Sequence, residues 1–149
     1  MSPNCLKCGV FVSEPTRFKH FPEGFLCSTF CFVSYLLDSD AKFRVSITSF
    51  LLKRGLRVGD FLLWNDGTID KNGYWFVPSR RFRTTMGVHR LSYLVFKGSF
   101  EKDWFVCHSC DNRACFEPNH LWLGTPMQNH NDMIDKGRGN KKSFLPVSI

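Results

Sequence analysis

The sequence has no uninterrupted apolar run that approaches the roughly 20 residues needed to cross a bilayer, which argues against a transmembrane helix. It also has no apolar leader, because the segment from Met1 to Lys7 runs directly into Cys8. We therefore expect a cytoplasmic protein in a reducing compartment, with no membrane partner.

Cysteine occurs seven times, an odd number that a complete set of disulfides cannot use. In a reducing compartment, cysteines at short spacings typically bind metal. The spacings form two sets of four ligands, each sufficient for one tetrahedral zinc ion. The sequence therefore predicts two structural Zn²⁺ ions, although redox-active or incidental cysteines remain an alternative. The sets are Cys5, Cys8, Cys27 and Cys31, and Cys107, Cys110, Cys115 and His120.

Acidic residues are the scarcer charge, 13 against 20 basic residues, and the net charge is +7. This balance favours an anionic partner such as nucleic acid. Two groups of basic residues are candidates for contact with DNA, one on a presumed strand and one near the end of the chain. For each group, a charged surface that faces only solvent is an equal alternative. The two groups are Arg80, Arg81 and Arg83, and Lys136, Arg138, Lys141 and Lys142.

The pattern of cysteine, apolar and turn residues predicts two domains. Residues 1–40 are predicted to form a four-cysteine zinc module with a helix that starts after Ser28, and residues 41–149 a second domain. The second domain should begin with a mixed amphipathic helix. Turn-bounded strands should follow from Asp60, and a helix should span 88–98.

The segment 104–137 is the most informative part. It predicts a strand ending near His108, a return strand at 121–123 and a helix capped by Thr125. Neighbouring side chains in a strand point to opposite faces, so His108 should face away from the zinc that Cys107 is expected to bind. A pinned imidazole suits a general base, and the amide of Asn129, one turn into the helix, suits Mg²⁺. An incidental polar residue is the alternative for His108.

The pattern Cys-His-x-Cys-Asp-Asn-x-x-Cys-x-x-Pro-x-His-Leu-x-Leu-Gly-Thr-x-x-x-Asn resembles the His-Me finger (ββα-metal) HNH nucleases with a zinc-binding loop, as in homing and phage enzymes. The resemblance covers roughly residues 60–138 and includes Gly73-Tyr74 and the segment from Gly87 to Tyr93. It implies an α+β fold whose ββα core spans about 104–137. It also implies that His108 is the general base, that Asn129 binds the catalytic ion, and that the second set of four ligands holds structural zinc. Many such proteins have a carboxylate where this chain has Cys107.

The predicted function is therefore metal-dependent hydrolysis of double-stranded DNA at specific sites, with Mg²⁺ or a similar ion beside the scissile phosphate. Arg90 is a candidate for supporting the phosphate, with a surface or helix salt bridge as its alternative. A zinc protein that binds DNA without cutting it is the rival, and an RNA-binding zinc protein is a third interpretation. His108 and Asn129 distinguish the nuclease from these rivals, because a zinc protein that only binds nucleic acid needs neither residue. A homodimer is left open.

Overall fold

The computed structural model describes residues 4–11, 24, 26–78 and 86–138. Within these ranges it contains four α helices, a short 3-10 helix and six short strands paired into three two-stranded antiparallel sheets. The fold is thus a small α+β arrangement, as the sequence predicts. None of the helices in the described part is long and apolar enough to cross a membrane.

The N-terminal part is a cysteine-bearing turn followed by two helices. Helix α1 (Thr29–Ser39) begins after Ser28, whose hydroxyl accepts a hydrogen bond from the Cys31 amide at 3.1 Å. Helix α2 (Ala41–Arg54) begins after Asp40, whose carboxylate accepts from two backbone amides of the first turn. These side chains satisfy amides that a helix start leaves without partners. Both helices occur where the sequence predicts them.

Two small hairpins follow. Strand β1 (Leu56–Val58) pairs with β2 (Phe61–Leu63), and β3 (Thr68–Ile69) pairs with β4 (Trp75–Phe76). The second hairpin closes through a turn in which the Asp70 carboxylate accepts hydrogen bonds from two amides and Gly73 has a φ of +85°. A positive φ favours glycine, which accounts for the Asn72-Gly73 turn pattern.

The C-terminal part is a strand, loop, strand and helix. Helix α3 (Val88–Phe96) precedes strand β5 (Phe105–His108), which pairs with β6 (Leu121–Gly124) so that His108 lies opposite Leu121. A 3-10 helix (Pro118–His120) ends the intervening loop. Helix α4 (Pro126–Asp135) begins with the expected capping box, in which Thr125 and Gln128 bond each other's backbone amides.

One apolar core joins the helices to the loop between β5 and β6. It contains side chains from α1, α2, β2 and α3, and Trp64 and Phe116 meet edge to face at its centre with ring centroids 5.6 Å apart. The Phe116 amide also donates to the Leu62 carbonyl at 2.8 Å. The loop is therefore anchored on a packed core. Because Val33 and Leu37 of α1 belong to this core, the division at residue 40 stays a prediction.

Candidate active site and metal centres

The four N-terminal cysteines converge on one point. Their sulfur atoms all lie within 4.8 Å of one another, with Cys8 and Cys27 3.4 Å apart and Cys27 and Cys31 3.5 Å apart. Four thiolates around one zinc ion, each at about 2.3 Å, lie about 3.8 Å from one another, so the spacing fits a tetrahedral site. The turn supplies Cys5 and Cys8, Cys27 precedes the Ser28 cap of α1, and Cys31 lies in the first turn of that helix.

A second group gathers at the loop after β5. Cys110, Cys115 and His120 place their ligand atoms within 4.8 Å of one another, and the Cys115 sulfur is 3.5 Å from His120 Nδ1. The structure does not bring Cys107 to this group, contrary to the four-ligand set expected from the sequence. Cys107 lies on β5 before the loop begins, and its sulfur contacts Asn129 Oδ1 on α4 at 3.3 Å. Three ligands of the predicted set are therefore together and the fourth is elsewhere.

We expect two equivalents of zinc per chain in the purified protein, because the residues that converge form two separate groups. Elemental analysis after extensive dialysis is the measurement. One equivalent would mean that a single group holds metal, and none would contradict both sites.

The structure fixes the ring of His108 through a backbone carbonyl. His108 ends β5, is only 7% exposed, and its Nε2 lies 2.9 Å from the Cys115 carbonyl oxygen. A carbonyl can only accept, so Nε2 carries the hydrogen. In the neutral ring this leaves the Nδ1 lone pair as the basic site. Burial lowers the pKa of His108, which favours this neutral form.

Two further rings pack beside the His108 imidazole. The His89 ring of α3 lies 5.2 Å from the His108 ring, and Tyr74 packs on His89 with centroids 5.0 Å apart. Burial, together with the neighbouring His108 and Arg90, lowers the pKa of His89 to about 3. The His89 ring is therefore neutral, and it adds no charge beside the candidate base. Both His89 and Tyr74 fall within the sequence resemblance, but the pattern predicts a role for neither.

Asn129 lies in the first turn of α4, where the capping box sets its position. Its Oδ1 accepts a hydrogen bond from the Cys107 thiol, the residue next to His108 on β5. Burial raises the pKa of Cys107 to about 11, and the Asp132 carboxylate adds to the effect, so the thiol is protonated when no ion is bound. The structure thus places Asn129 beside the strand that ends in His108.

Four charged side chains connect the loop after β5 to the end of α4. Lys136 bonds the His108 carbonyl oxygen at 3.2 Å and pairs with Asp111 and Asp132 at 3.1 and 2.8 Å. Arg138 pairs with the same two carboxylates at 2.9 and 3.0 Å. The charges of Lys136 and Arg138, both predicted to contact DNA, are therefore partly neutralised within the protein. Their contact with phosphate stays a prediction.

Arg90 supports the loop before β5. Its guanidinium donates to the Trp104 carbonyl at 2.9 Å and to the Lys102 carbonyl at 3.2 Å, and it packs over the rings of Phe30 and Phe100. These contacts hold the segment that leads into His108. Among the described residues Arg90 forms no salt bridge, the alternative given above, and it bonds backbone carbonyls instead. The predicted support of a phosphate by Arg90 stays a prediction.

The candidate base and the ion ligand line one cavity of about 290 Å³. Its wall also includes residues to which the sequence pattern assigns no role, among them Arg113, which packs over Tyr74 with its guanidinium 5.3 Å from the ring centroid. Nothing in the sequence pattern reveals this convergence, because Tyr74 and Arg113 are far apart along the chain. The predicted DNA contacts Arg80, Arg81, Arg83, Lys141 and Lys142 lie outside the described residues.

The comparisons with known proteins agree with this geometry. Residues 86–131 match the HNH endonuclease family, and this segment includes α3, β5, β6 and the first half of α4. Protein 2.8 of Escherichia phage T7 is 40% identical over 78 residues, which are 52% of each chain. Protein 7.7 of the same phage is 43% identical over 61 residues, 41% of this chain and 47% of the relative. The chain spans about half the length of these curated relatives, and no solved structure matches it significantly.

Residues 86–131 are therefore similar to the HNH endonuclease family, and the resemblance seen in the sequence is confirmed over this segment. The family match indicates a nuclease, and the two groups of cysteine and histidine ligands are consistent with metal binding.

Proposed function

We propose that the protein is a metal-dependent DNA endonuclease that cuts phosphodiester bonds at specific sites. The observation that carries this proposal is the state of His108: Nε2 is committed to the Cys115 carbonyl, and the ring lines a cavity shared with Asn129. A protein that only binds DNA has no need of a buried, neutral imidazole held in one tautomer. The family match supports the same conclusion.

The proposed reaction begins with a water molecule beside His108. Nδ1 takes a proton from this water as its oxygen attacks phosphorus, and the bond from phosphorus to the leaving oxygen breaks. The leaving oxygen takes a proton from solvent. The hydrogen bond from Nε2 to the Cys115 carbonyl persists throughout, so it stabilises the imidazolium that forms at Nδ1.

The residues around Asn129 fit a divalent ion of the kind that HNH nucleases use. An amide oxygen suits a hard cation, and the carboxylate of Asp132 lines the same cavity. When bound, such an ion supplies positive charge against the scissile phosphate and the leaving oxygen. Asn129 would hold it beside the strand that carries the base.

The decisive experiment combines ion dependence with a variant of the ion ligand. We expect cleavage of supercoiled plasmid in Mg²⁺ or Mn²⁺ and none in EDTA. Asn129→Ala should lower the rate by about 10²-fold or more, as for other groups that stabilise transition-state charge. Higher ion concentration should restore part of the loss, because the variant weakens ion binding without removing the base.

Asn131→Ala is the matched control, since Asn131 lies on the same helix and is exposed. It should cut at the parental rate. No cleavage by the parent protein in any divalent ion, on any plasmid tested, would leave the non-catalytic zinc protein as the better interpretation.

We also expect DNA binding that weakens steeply with salt, because the chain carries a net charge of +7 and phosphate neutralisation releases counterions. Changing Arg80 and Arg81 to Ala should reduce the slope of log affinity against log salt by about 0.9 for each phosphate that is no longer neutralised. Fluorescence anisotropy of labelled DNA at several salt concentrations measures this slope.

The charge-matched control for this slope is Lys42→Ala with Lys53→Ala, both on α2. An equal reduction in that variant would show that net charge alone sets the slope, and a parental slope near zero would contradict the proposal.

A further inference from the structure

Cys107 is the described cysteine that belongs to neither group of converging ligands. The other six lie in the N-terminal group and in the group after β5, whereas the Cys107 sulfur is 3.3 Å from Asn129 Oδ1. It is 6% exposed and lines the same cavity as His108 and Asn129. Its side chain therefore faces the proposed ion site rather than a structural zinc site.

The two atoms share a hydrogen bond when no ion is bound, and their separation also matches that of two adjacent ligands on one ion. With a sulfur about 2.3 Å and an oxygen about 2.1 Å from a metal, an angle of roughly 90–110° places the two ligands about 3.1–3.6 Å apart. The observed 3.3 Å lies within that interval. The distance between the two atoms is therefore compatible with contact of both with a single cation.

The scaffold holds both ligands in place. Cys107 lies opposite Trp122 in the β5–β6 pair, and Asn129 follows the capping box of α4. Gly124 leaves room for the neighbouring Trp122 ring, since a Cβ there would lie 2.7 Å from that ring, whereas the same Cβ would make an ordinary contact of 3.4 Å with the Cys107 sulfur. Ligands fixed by a strand and a helix start need little reordering to bind.

Other charged side chains lie close to Cys107 and Asn129. Asp132 lines the cavity and adds a negative charge near Cys107, while Lys136 and Arg138 pair with that carboxylate. The donors available to an ion are thus one sulfur, one amide oxygen and a carboxylate already engaged by two cations. This set is softer than the all-oxygen environment that Mg²⁺ prefers.

We propose that Cys107 Sγ and Asn129 Oδ1 are adjacent ligands of the same divalent cation, and that the sulfur makes the site favour Mn²⁺, Co²⁺, Zn²⁺ or Cd²⁺ over Mg²⁺. The inference rests on the proposed nuclease site and changes the ion expected there. On binding, the thiol proton leaves to solvent and the sulfur coordinates as thiolate. Cys107 then takes the position at which many similar nucleases carry a carboxylate.

The test measures binding without DNA, in full-length protein that holds its structural zinc. Co²⁺ is added and the near-ultraviolet absorption of a thiolate–cobalt bond is recorded, with zinc content followed by elemental analysis. Calorimetry then compares the affinities for Mn²⁺ and Mg²⁺. We expect a thiolate–cobalt band without release of zinc, and at least about tenfold tighter binding of Mn²⁺ than of Mg²⁺.

Two variants make the result specific. Cys107→Ser should lose the band, keep the zinc content of the parent and narrow the difference between Mn²⁺ and Mg²⁺. Cys107→Asp should bind Mg²⁺ better than the parent does, since a carboxylate is a hard ligand. Circular dichroism checks that each variant folds. If Cys107→Ser does not fold, the comparison of Cys107→Asp with the parent tests the inference.

Three results would overturn the inference: no thiolate–cobalt band in the parent, an unchanged ion preference in both variants, or loss of one zinc equivalent in Cys107→Ser. The last would return Cys107 to the structural zinc set. Plasmid cleavage, measured separately, distinguishes the two proposals. A parent that shows the band but cuts no DNA contradicts the nuclease alone, and one that cuts in Mg²⁺ with no band contradicts only the role of Cys107.

Discussion

Replacing His108 with Ala should abolish detectable cleavage while zinc content, folding and DNA affinity stay close to those of the parent. The ring is not part of either group of converging metal ligands, so its removal takes away the proton acceptor and one hydrogen bond to the Cys115 carbonyl. Loss of a general base typically lowers a rate by about 10²–10⁴-fold. Single-turnover cleavage of a plasmid, with enzyme in excess, measures the chemical step directly.

The matched control is His130→Ala, because His130 is an imidazole on α4 outside the cavity that His108 lines. It should cut at the parental rate. Cleavage by His108→Ala at that same rate would mean that the base has been assigned wrongly. Loss of a zinc equivalent in His108→Ala would show instead that this ring is a ligand.

The local elements of this site follow from the sequence because each is encoded by neighbouring residues. The capping box at Thr125 and Gln128, the strand before His108 and the return strand at Leu121 depend on contacts within a few residues. The N-terminal cysteine group is similar, since short spacings leave few arrangements around one ion. The structure contains each of these features where the sequence predicts it.

The position of Cys107 departs from the predicted four-ligand zinc set for a physical reason. The spacing Cys107-x2-Cys110 is typical of a zinc knuckle, and spacing alone places both sulfurs on one ion. In the structure, β5 continues to His108, so Cys107 is still a strand residue and its side chain points to the face that α4 covers. The residue at which a strand ends decides which groups its last side chains contact, and the ends of strands are the part of an element that sequence determines least.

The surroundings of the base could not be predicted, because they depend on contacts between distant segments. His89 is on α3, Tyr74 is next to β4, and both reach His108 only through the packing of α3 against the rest of the core. Pairing of Lys136 and Arg138 with Asp111 likewise needs the loop and the end of α4 to meet. A count of basic residues treats these two side chains as free charges, whereas the fold pairs them.

We expect the loop that orients the base to depend on a bound metal ion. Between β5 and β6 the chain is largely polar, and the Cys115 carbonyl that orients His108 belongs to the same residue whose sulfur is a candidate ligand. Metal binding and the tautomer of His108 should therefore be coupled through one residue. Removal of the ion should free the carbonyl and the ring together.

Changing Cys110 to Ser should consequently remove one zinc equivalent and lower cleavage at least as far as His108→Ala does. A structural zinc site contributes folding free energy outright, so the loss of one of its thiolates opens the loop rather than weakening it slightly. Zinc content, protease susceptibility between β5 and β6, and cleavage rate should all change in the same variant.

Cys107→Ser provides the comparison, because its sulfur lies outside the group formed by Cys110, Cys115 and His120. It should keep both zinc equivalents and a protease-resistant loop, and change only the binding of the other cation. If Cys110→Ser retains all its zinc, three converging side chains are not sufficient evidence of a metal site in this loop. If both variants lose the same equivalent, the two cysteines share one ion, and the separation of their sulfurs in the structure does not persist when metal is bound.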